Sequence, residues 1–257
     1  WIWLNRSEII MQKIFVVDGY SILFRTYFSV GEMNTSGNTP IGGVFGFVRA
    51  ILMLIQRHSV ENLVITLDGG KKTFRSELYT EYKANRPPMP DELRSQIQPI
   101  HQIIEAMGLP LLIISDVEAD DVIGTLSEQA TEAGISTLIS TGDKDLAQLV
   151  NDNVTLINTM TNEILDSESV VSKFGVAPDR IIDYLALMGD KSDNIPGVPS
   201  VGPKTAVKWL QEYGSMEGVI ENAEAVGGKV GEKLRENIDL LRLSYELATI
   251  KMDVALD

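Results

Sequence analysis

Five short runs of apolar and β-branched residues punctuate the first two-thirds of the chain: Ile14–Val17, Leu63–Leu67, Leu111–Ile114, Thr137–Ser140 and Val154–Ile157. They are near-continuous rather than alternating, the pattern of strands buried on both faces. Between them the apolar spacing changes to that of helices, at Gly42–Gln56, Pro99–Met107 and Asp121–Ala133, the last closed by Gly134. Strands alternating with helices predict an α/β fold with a mostly parallel central sheet, helices on both faces and right-handed crossovers. No Gly-x-Gly-x-x-Gly follows the first strand, so a dinucleotide-binding fold is not favoured. From about residue 167 the strand pattern stops. Ile181, Ile182, Leu185 and Met188 mark one face of a helix ended by Gly189, a glycine-rich corner follows at 196–206, and the tail reads as further amphipathic helices. The expected organisation is an α/β core over 11–166, including an insertion at 71–108, and a helical lobe over 167–257. Residues 1–10 precede Met11, the expected natural start, and are left out of the fold.

The polar positions sharpen this picture. Asp18 follows I-F-V-V, Asp68 follows L-V-I-T-L, Glu118, Asp120 and Asp121 follow L-L-I-I-S-D-V, and Asp143 and Asp145 follow T-L-I-S-T-G. In open α/β sheets ligands bind at the carboxyl ends of the strands, so these acids would converge on one rim. Taken singly, each has a structural explanation. Asp120 and Asp121 could serve a helix N-terminus, and Asp18 before Gly19 could be a turn residue. Asp190 resists such an account, because it follows a helix C-terminus, where the macrodipole disfavours an anion by roughly 0.3–1 kcal/mol. Asp193 lies three residues on. Crowded carboxylates about 4 Å apart repel by about 4 kcal/mol at an effective dielectric of 20, which bound cations would offset. With no cysteine and two isolated histidines, His58 and His101, the donors are oxygens alone, pointing to Mg²⁺ or Mn²⁺. Two such ions held by carboxylates are the usual apparatus of phosphodiester hydrolysis, one activating a water and both stabilising charge on the phosphate.

Composition is that of an ordinary globular chain of 257 residues, 44% hydrophobic and 23% charged. The absence of cysteine excludes disulfide and thiolate chemistry and fits a reducing cytoplasm, and no apolar run approaches the ~20 residues of a membrane span. A net charge of −14 argues on its face against nucleic acid. Residues 71–94, however, hold six Lys/Arg against four Asp/Glu, leaving +2 there and −16 elsewhere. Tyr79 and Tyr82 alternate with Lys83 and Arg86 in that stretch, a mixture suited to unpaired nucleotides. The spacing G-V-x-x-V-G-x-K-T-A (Gly197, Gly202, Lys204, Thr205), with Lys208 beyond it, predicts a helix–hairpin–helix that grips duplex backbone through main-chain N–H groups without reading bases.

Taken in order, V-V-D-G-Y, L-D-G-G-K-K-T-F-R, E-Y-K-A-N-R-P-P-M-P, V-E-A-D-D-V-I-G-T-L, L-I-S-T-G-D-K-D and L-A-L-M-G-D-K-S-D-N-I-P-G-V-P-S-V-G-P-K-T-A resemble the flap endonuclease or 5′-nuclease family, and most nearly the 5′-nuclease domains of bacterial DNA polymerases of the first class. The resemblance implies a PIN-like fold with a helical arch over 71–108. It implies a two-metal 5′–3′ exonuclease and 5′-flap endonuclease in replication and repair, leaving 5′-phosphate and 3′-hydroxyl ends. Asp18, Asp68, Glu118, Asp120, Asp121, Asp143, Asp145, Asp190 and Asp193 match the family's metal-site acids. Lys83 and Arg86 match basic residues beside the scissile phosphate, Tyr82 an aromatic there, and Arg25 a position near the displaced strand. In the family the hairpin holds downstream duplex and a potassium ion. The partners implied are DNA with free 5′ ends or 5′ flaps and, unless the nuclease is free-standing, an attached polymerase domain, with the chain a cytoplasmic, nucleoid-associated monomer. Two rival readings are an RNA-directed nuclease of the PIN type and a non-catalytic, metal-dependent binder of branched DNA.

Overall fold

The five apolar runs all form strands in the computed structural model, which describes residues 13–58, 60–70, 72–159 and 161–256. The expectations for residues 1–10 and Met11 lie outside the described residues. In chain order the sheet half comprises β1 (Lys13–Asp18), α1 (Gly19–Val30), α2 (Gly42–His58), β2 (Asn62–Asp68), α3 (Phe74–Leu78), α4 (Asp91–Arg94), α5 (Ile97–Ala106), β3 (Leu111–Ile114), α6 (Ala119–Glu132), β4 (Ser136–Ser140), β5 (Val154–Asn158) and β6 (Glu163–Leu165). Helices α7 (Ser167–Phe174), α8 (Ile181–Met188), α9 (Pro203–Tyr213), α10 (Met216–Glu221), α11 (Gly228–Glu236) and α12 (Ile238–Ala248) follow.

The six strands run in the order β3-β2-β1-β4-β5-β6. All pair in parallel except β6, a short antiparallel edge strand that the apolar pattern did not mark. The chain leaves β1 towards β2 and β3, then crosses back to β4 on the other side. The carboxyl ends of β2, β1 and β4 therefore border a switch point, where an open parallel sheet offers a crevice. Alternation along β1 explains the layers: Phe15 and Val17 join Phe47, Ile51 and Ile104 on one face, while Val16 joins Ile123 and Ile139 on the other. The second core continues without a break into Leu185, Trp209 and Leu241 of the helical lobe. Sheet and lobe thus share one apolar interior.

Two local devices set the crevice. Gly19 opens α1, and a Cβ there would stand 2.7 Å from Leu67 Cδ2 and 2.8 Å from Thr66 O. Only glycine lets α1 start so close to β2, which leaves Asp18 as its N-cap. Pro87, Pro88 and Pro90 divide the 71–108 segment, which is built of α3, α4 and α5 joined by turns. Its residues 79–86 are fastened to the 190–195 loop: Lys83 N–H donates to Asp193 O at 2.8 Å, Asn85 Nδ2 to Lys191 O at 2.7 Å, and Asn194 Nδ2 to Glu81 O at 2.7 Å. Lys83 is held there with φ +55°, a left-handed conformation that costs a side-chain-bearing residue on the order of 1–3 kcal/mol. No helix among the described residues is long and apolar enough to cross a membrane.

Candidate active site

At the carboxyl edge of the sheet, a cleft of about 700 Å³ is lined by Asp18, Asp68, Asp120, Asp143, Asp145, Asp190 and Asp193 together with Arg25, Lys83, Arg86 and Lys144. Seven of the nine expected metal-site acids therefore meet. They arrive from five places in the chain: Asp18 from the end of β1, Asp68 from the end of β2, and Asp120 from the first turn of α6. Asp143 and Asp145 come from the loop after β4, and Asp190 and Asp193 from the loop after α8. His58 and His101 are not among the lining residues.

Local bonds fix these side chains. Asp18 Oδ2 accepts from Thr141 Oγ1 at 2.7 Å and its Oδ1 from Ser21 N–H at 3.1 Å. Asp68 Oδ1 accepts from Ala119 N–H at 2.8 Å, tying β2 to the start of α6. Asp143 Oδ1 accepts from Asp145 N–H at 2.9 Å. Asp145 Oδ1 is buried without any hydrogen-bond partner, an orphaned oxygen that burial would make costly unless a cation faces it. Electrostatics follow from the crowding. Burial, with repulsion from Asp143 and Asp68, pushes Asp18 up to about 6 against the Thr141 and Ser21 bonds. Burial and the charges of Asp143 and Asp18 push Asp120 well above the ordinary carboxylate value. Asp145 is raised by burial and by Asp143, Asp190 and Asp193. Asp190 goes the other way: burial opposes its charge, but the Lys144 ammonium and the Ser192 N–H outweigh that and lower it.

The donor set is oxygen alone and the orphaned Asp145 Oδ1 wants a cation, so the residues fit hard divalent ions in kind. As the side chains lie, no group of three of them among the described residues is close enough to hold one ion. Basic side chains pair with them instead. Lys83 Nζ lies 2.6 Å from Glu118 Oε1 and 3.5 Å from Asp193 Oδ2, Arg86 pairs with Asp193, and Lys144 Nζ lies 2.5 Å from Asp190 Oδ2.

Four expected residues stand elsewhere. Asp121 is fully buried and turned from the cleft: Arg75 grips it through Nη1 at 2.8 Å and Nη2 at 2.7 Å, and the N–H groups of Lys251 and Glu118 complete its shell. These four hydrogen bonds, from three residues, occupy its carboxylate oxygens, and Asp121 is not among the residues that line the cleft. Glu118 sits beneath the cleft, with Oε2 accepting from Arg75 and from the Tyr82 hydroxyl, both at 3.0 Å, and Oε1 meeting Lys83. Tyr82 is only 8% exposed and its hydroxyl reaches Glu118 and Asp193, so it braces the site and offers no open face for a base to stack on. Gly197 is buried as well. A Cβ there would lie 2.3 Å from Gly189 N, so this glycine serves the packing of the corner against α8 and contacts no solvent-borne ligand.

The rest of the hairpin is open. Gly202 caps α9 with no side-chain acceptor on the helix N–H groups, a Cβ at Gly202 would meet nothing within 4 Å, and Lys204 and Lys208 are exposed. Such a terminus suits a phosphate. Thr205 is half-buried in the first turn of the same helix. Arg25 reaches Asn158 Oδ1 at 2.8 Å and Ser21 Oγ at 3.1 Å along the cleft wall. Sequence reasoning gave no role to Arg75, Thr141 or Lys144. Arg75 carries no spacing signal, whereas Lys144, between Asp143 and Asp145, was visible as a cation inside an acidic motif.

Against known families, residues 13–175 match the 5′-3′ exonuclease N-terminal resolvase-like domain and residues 176–257 the 5′-3′ exonuclease C-terminal SAM fold. The chain is 48% identical over 250 residues to DNA polymerase I of Pseudomonas aeruginosa, with 94% of this chain covering 27% of that one. It is 40% identical over 247 residues to the 5′-3′ exonuclease of Aquifex aeolicus, with 96% of this chain covering 84% of the relative. Phage T5 5′-exonuclease, solved with divalent zinc bound, superposes with a TM-score of 0.77 at 24% identity, over 92% of this chain and 89% of the other. A T5 flap endonuclease solved as a pseudo-enzyme-product complex with DNA and metal ions superposes with a TM-score of 0.79 at 23% identity, over 92% and 89%. At these identities the structural likeness is one of fold.

Proposed function

The chain belongs to the 5′-3′ exonuclease family, and from that premise we propose that it is a divalent-metal-dependent 5′–3′ exonuclease and 5′-flap endonuclease that hydrolyses DNA to 5′-phosphate and 3′-hydroxyl ends in replication and repair. The observation that carries the reading is the cleft itself, where seven carboxylates and two phosphate-seeking cations, Lys83 and Arg86, line one wall-to-wall crevice at the sheet's switch point. We assign Asp18, Asp68, Asp120, Asp143, Asp145, Asp190 and Asp193 as the groups that would hold two Mg²⁺ or Mn²⁺ ions. When bound, such ions supply a polarised water and neutralise charge developing on the phosphate.

The chain's own residues do the rest. Lys83 and Arg86, now on Glu118 and Asp193, present ammonium and guanidinium groups at the cleft and steady the negative charge of the reacting phosphate. The pairing of Lys83 Nζ with Glu118 and Asp193 keeps that ammonium at the cleft, so it spends little entropy in meeting the substrate. Tyr82 and Arg75 hold Glu118, which positions Lys83 from below. The α9 terminus with Lys204, and a potassium ion, would hold downstream duplex, with Arg25 near the displaced strand. Whole-polymerase activities, and an attached polymerase domain, extend this proposal to the larger relatives of which the chain spans about a quarter.

A 5′-labelled double-flap DNA incubated with the protein in Mg²⁺ and then in EDTA tests this. Cleavage at or beside the flap junction that EDTA abolishes is the expected outcome. A shifted but uncut band in Mg²⁺ would leave a binding protein instead, and faster cleavage of the same flap made of RNA would favour an RNA-directed nuclease.

A further inference from the structure

The acids of the cleft fall into two unequal sets. Asp18, Asp68, Asp120, Asp143 and Asp145, on the sheet side, line the cleft and make no ion pair among the described residues. On the opposite wall Asp190 and Asp193 are already paired. Lys83 and Arg86 have a use there, since both stand ready for a phosphate. Lys144 does not share it. Its main chain lies between Asp143 and Asp145, yet its ammonium crosses to Asp190 Oδ2 at 2.5 Å. Asp190 is itself held by Ser192 N–H at 2.6 Å and by the paired main-chain bonds to Ile195, and its side chain is 4% exposed against 40% for Lys144. The carboxylate is therefore fixed and the lysine, on a flexible four-carbon stem, is the partner that can leave.

We propose that Lys144 is a built-in cation that competes with one of the two divalent ions for Asp190, so that this ion binds second, more weakly, and only by displacing Lys144. The inference rests on the metal reading above. An ammonium and a divalent ion cannot both sit against one carboxylate without a repulsion larger than either would feel across solvent. The uncompensated sheet-side set has no such competitor, so the first ion goes there. The half-exposed lysine head can move into water at little cost once an ion arrives. The device keeps the Asp190 wall neutral in the resting protein and makes full metal loading depend on ion concentration.

The test is a Mn²⁺ titration of the whole chain without DNA, counting free Mn²⁺ by its electron paramagnetic resonance signal. The wild type should show a tight and a weak class of site. Lys144→Met should tighten the weak class by up to about fivefold, the worth of one partly exposed ion pair, and leave the tight class where it was. Lys144→Arg keeps the charge and should keep the weak class weak, which separates loss of the cation from loss of the fold. Asp190→Asn should remove the weak class in either background. A weak class that is unchanged or weaker in Lys144→Met overturns the competition while leaving the metal reading standing. No bound Mn²⁺ in the wild type would take both down.

Discussion

On the proposed reading, the cleft and the hairpin would meet the same kind of polymer with opposite means. The cleft concentrates buried charge that repels itself: Asp18, Asp120 and Asp145 are all pushed above their ordinary carboxylate values. The hairpin has no acid at its tip. It offers the start of α9, which no side chain caps, and the exposed Lys204 and Lys208, all of which are comfortable in water. One region trades folding stability for reactivity, and the other binds at no structural cost. The chain can thus be damaged in two separable ways, in turnover or in grip.

The largest expected separation comes from Asp143→Asn. Turnover should fall by orders of magnitude, since a carboxylate that would hold the charge-neutralising ions is lost, while DNA binding measured in Ca²⁺ or EDTA stays near wild type. Loss of binding in step with turnover would dissolve the distinction between the two regions. Arg75→Ala comes next and acts on the fold. Arg75 is 2% exposed and its pairing with Asp121 and Glu118 would be broken, costing about 3–5 kcal/mol in urea unfolding. An unchanged midpoint would mean that Asp121 has another partner.

The pH dependence of metal stabilisation sharpens the cleft side. Asp18, moved from 3.8 to about 6, favours the fold when protonated, a contribution present below its unfolded value and lost as pH rises through 6. From Asp18 alone this is worth on the order of 3 kcal/mol, and ions that take the deprotonated form should restore it. The rise in melting temperature on adding Mg²⁺ should therefore be small at pH 5 and grow by several degrees towards pH 7. A gain that shrinks with pH would put the ions elsewhere. The smallest effect belongs to Lys204→Ala: weaker DNA binding, with the slope of log affinity against log salt reduced by about 0.9 and turnover at saturating DNA unchanged.

Adjacent letters show how far the sequence could be read. The five apolar runs located the parallel sheet, because strands buried on both faces announce themselves without long-range information. β6 escaped, being a three-residue edge strand with little burial. At the site, spacing found the strand ends but could not tell Asp120 from Asp121. Both open α6, and only the distant Arg75, itself placed by the carbonyls of Leu247 and Thr249, draws one inwards and leaves the other in the cleft. The burial of Tyr82 has the same origin. Aromatics among cations suit nucleotides, but Glu118 and Asp193 claimed its hydroxyl. Partners far apart along the chain decide such orientations, and local pattern holds no record of them.

The apolar interior common to the sheet and the helical lobe has a practical corollary for protein production. A gene cut near residue 175, where the two family descriptions meet, would split the single apolar cluster that holds Val16, Ile123 and Ile139 together with Leu185, Trp209 and Leu241. Neither fragment would be a portable module. The first would emerge from the ribosome with a bare oily flank, and would be expected to collect in inclusion bodies until its missing half was supplied.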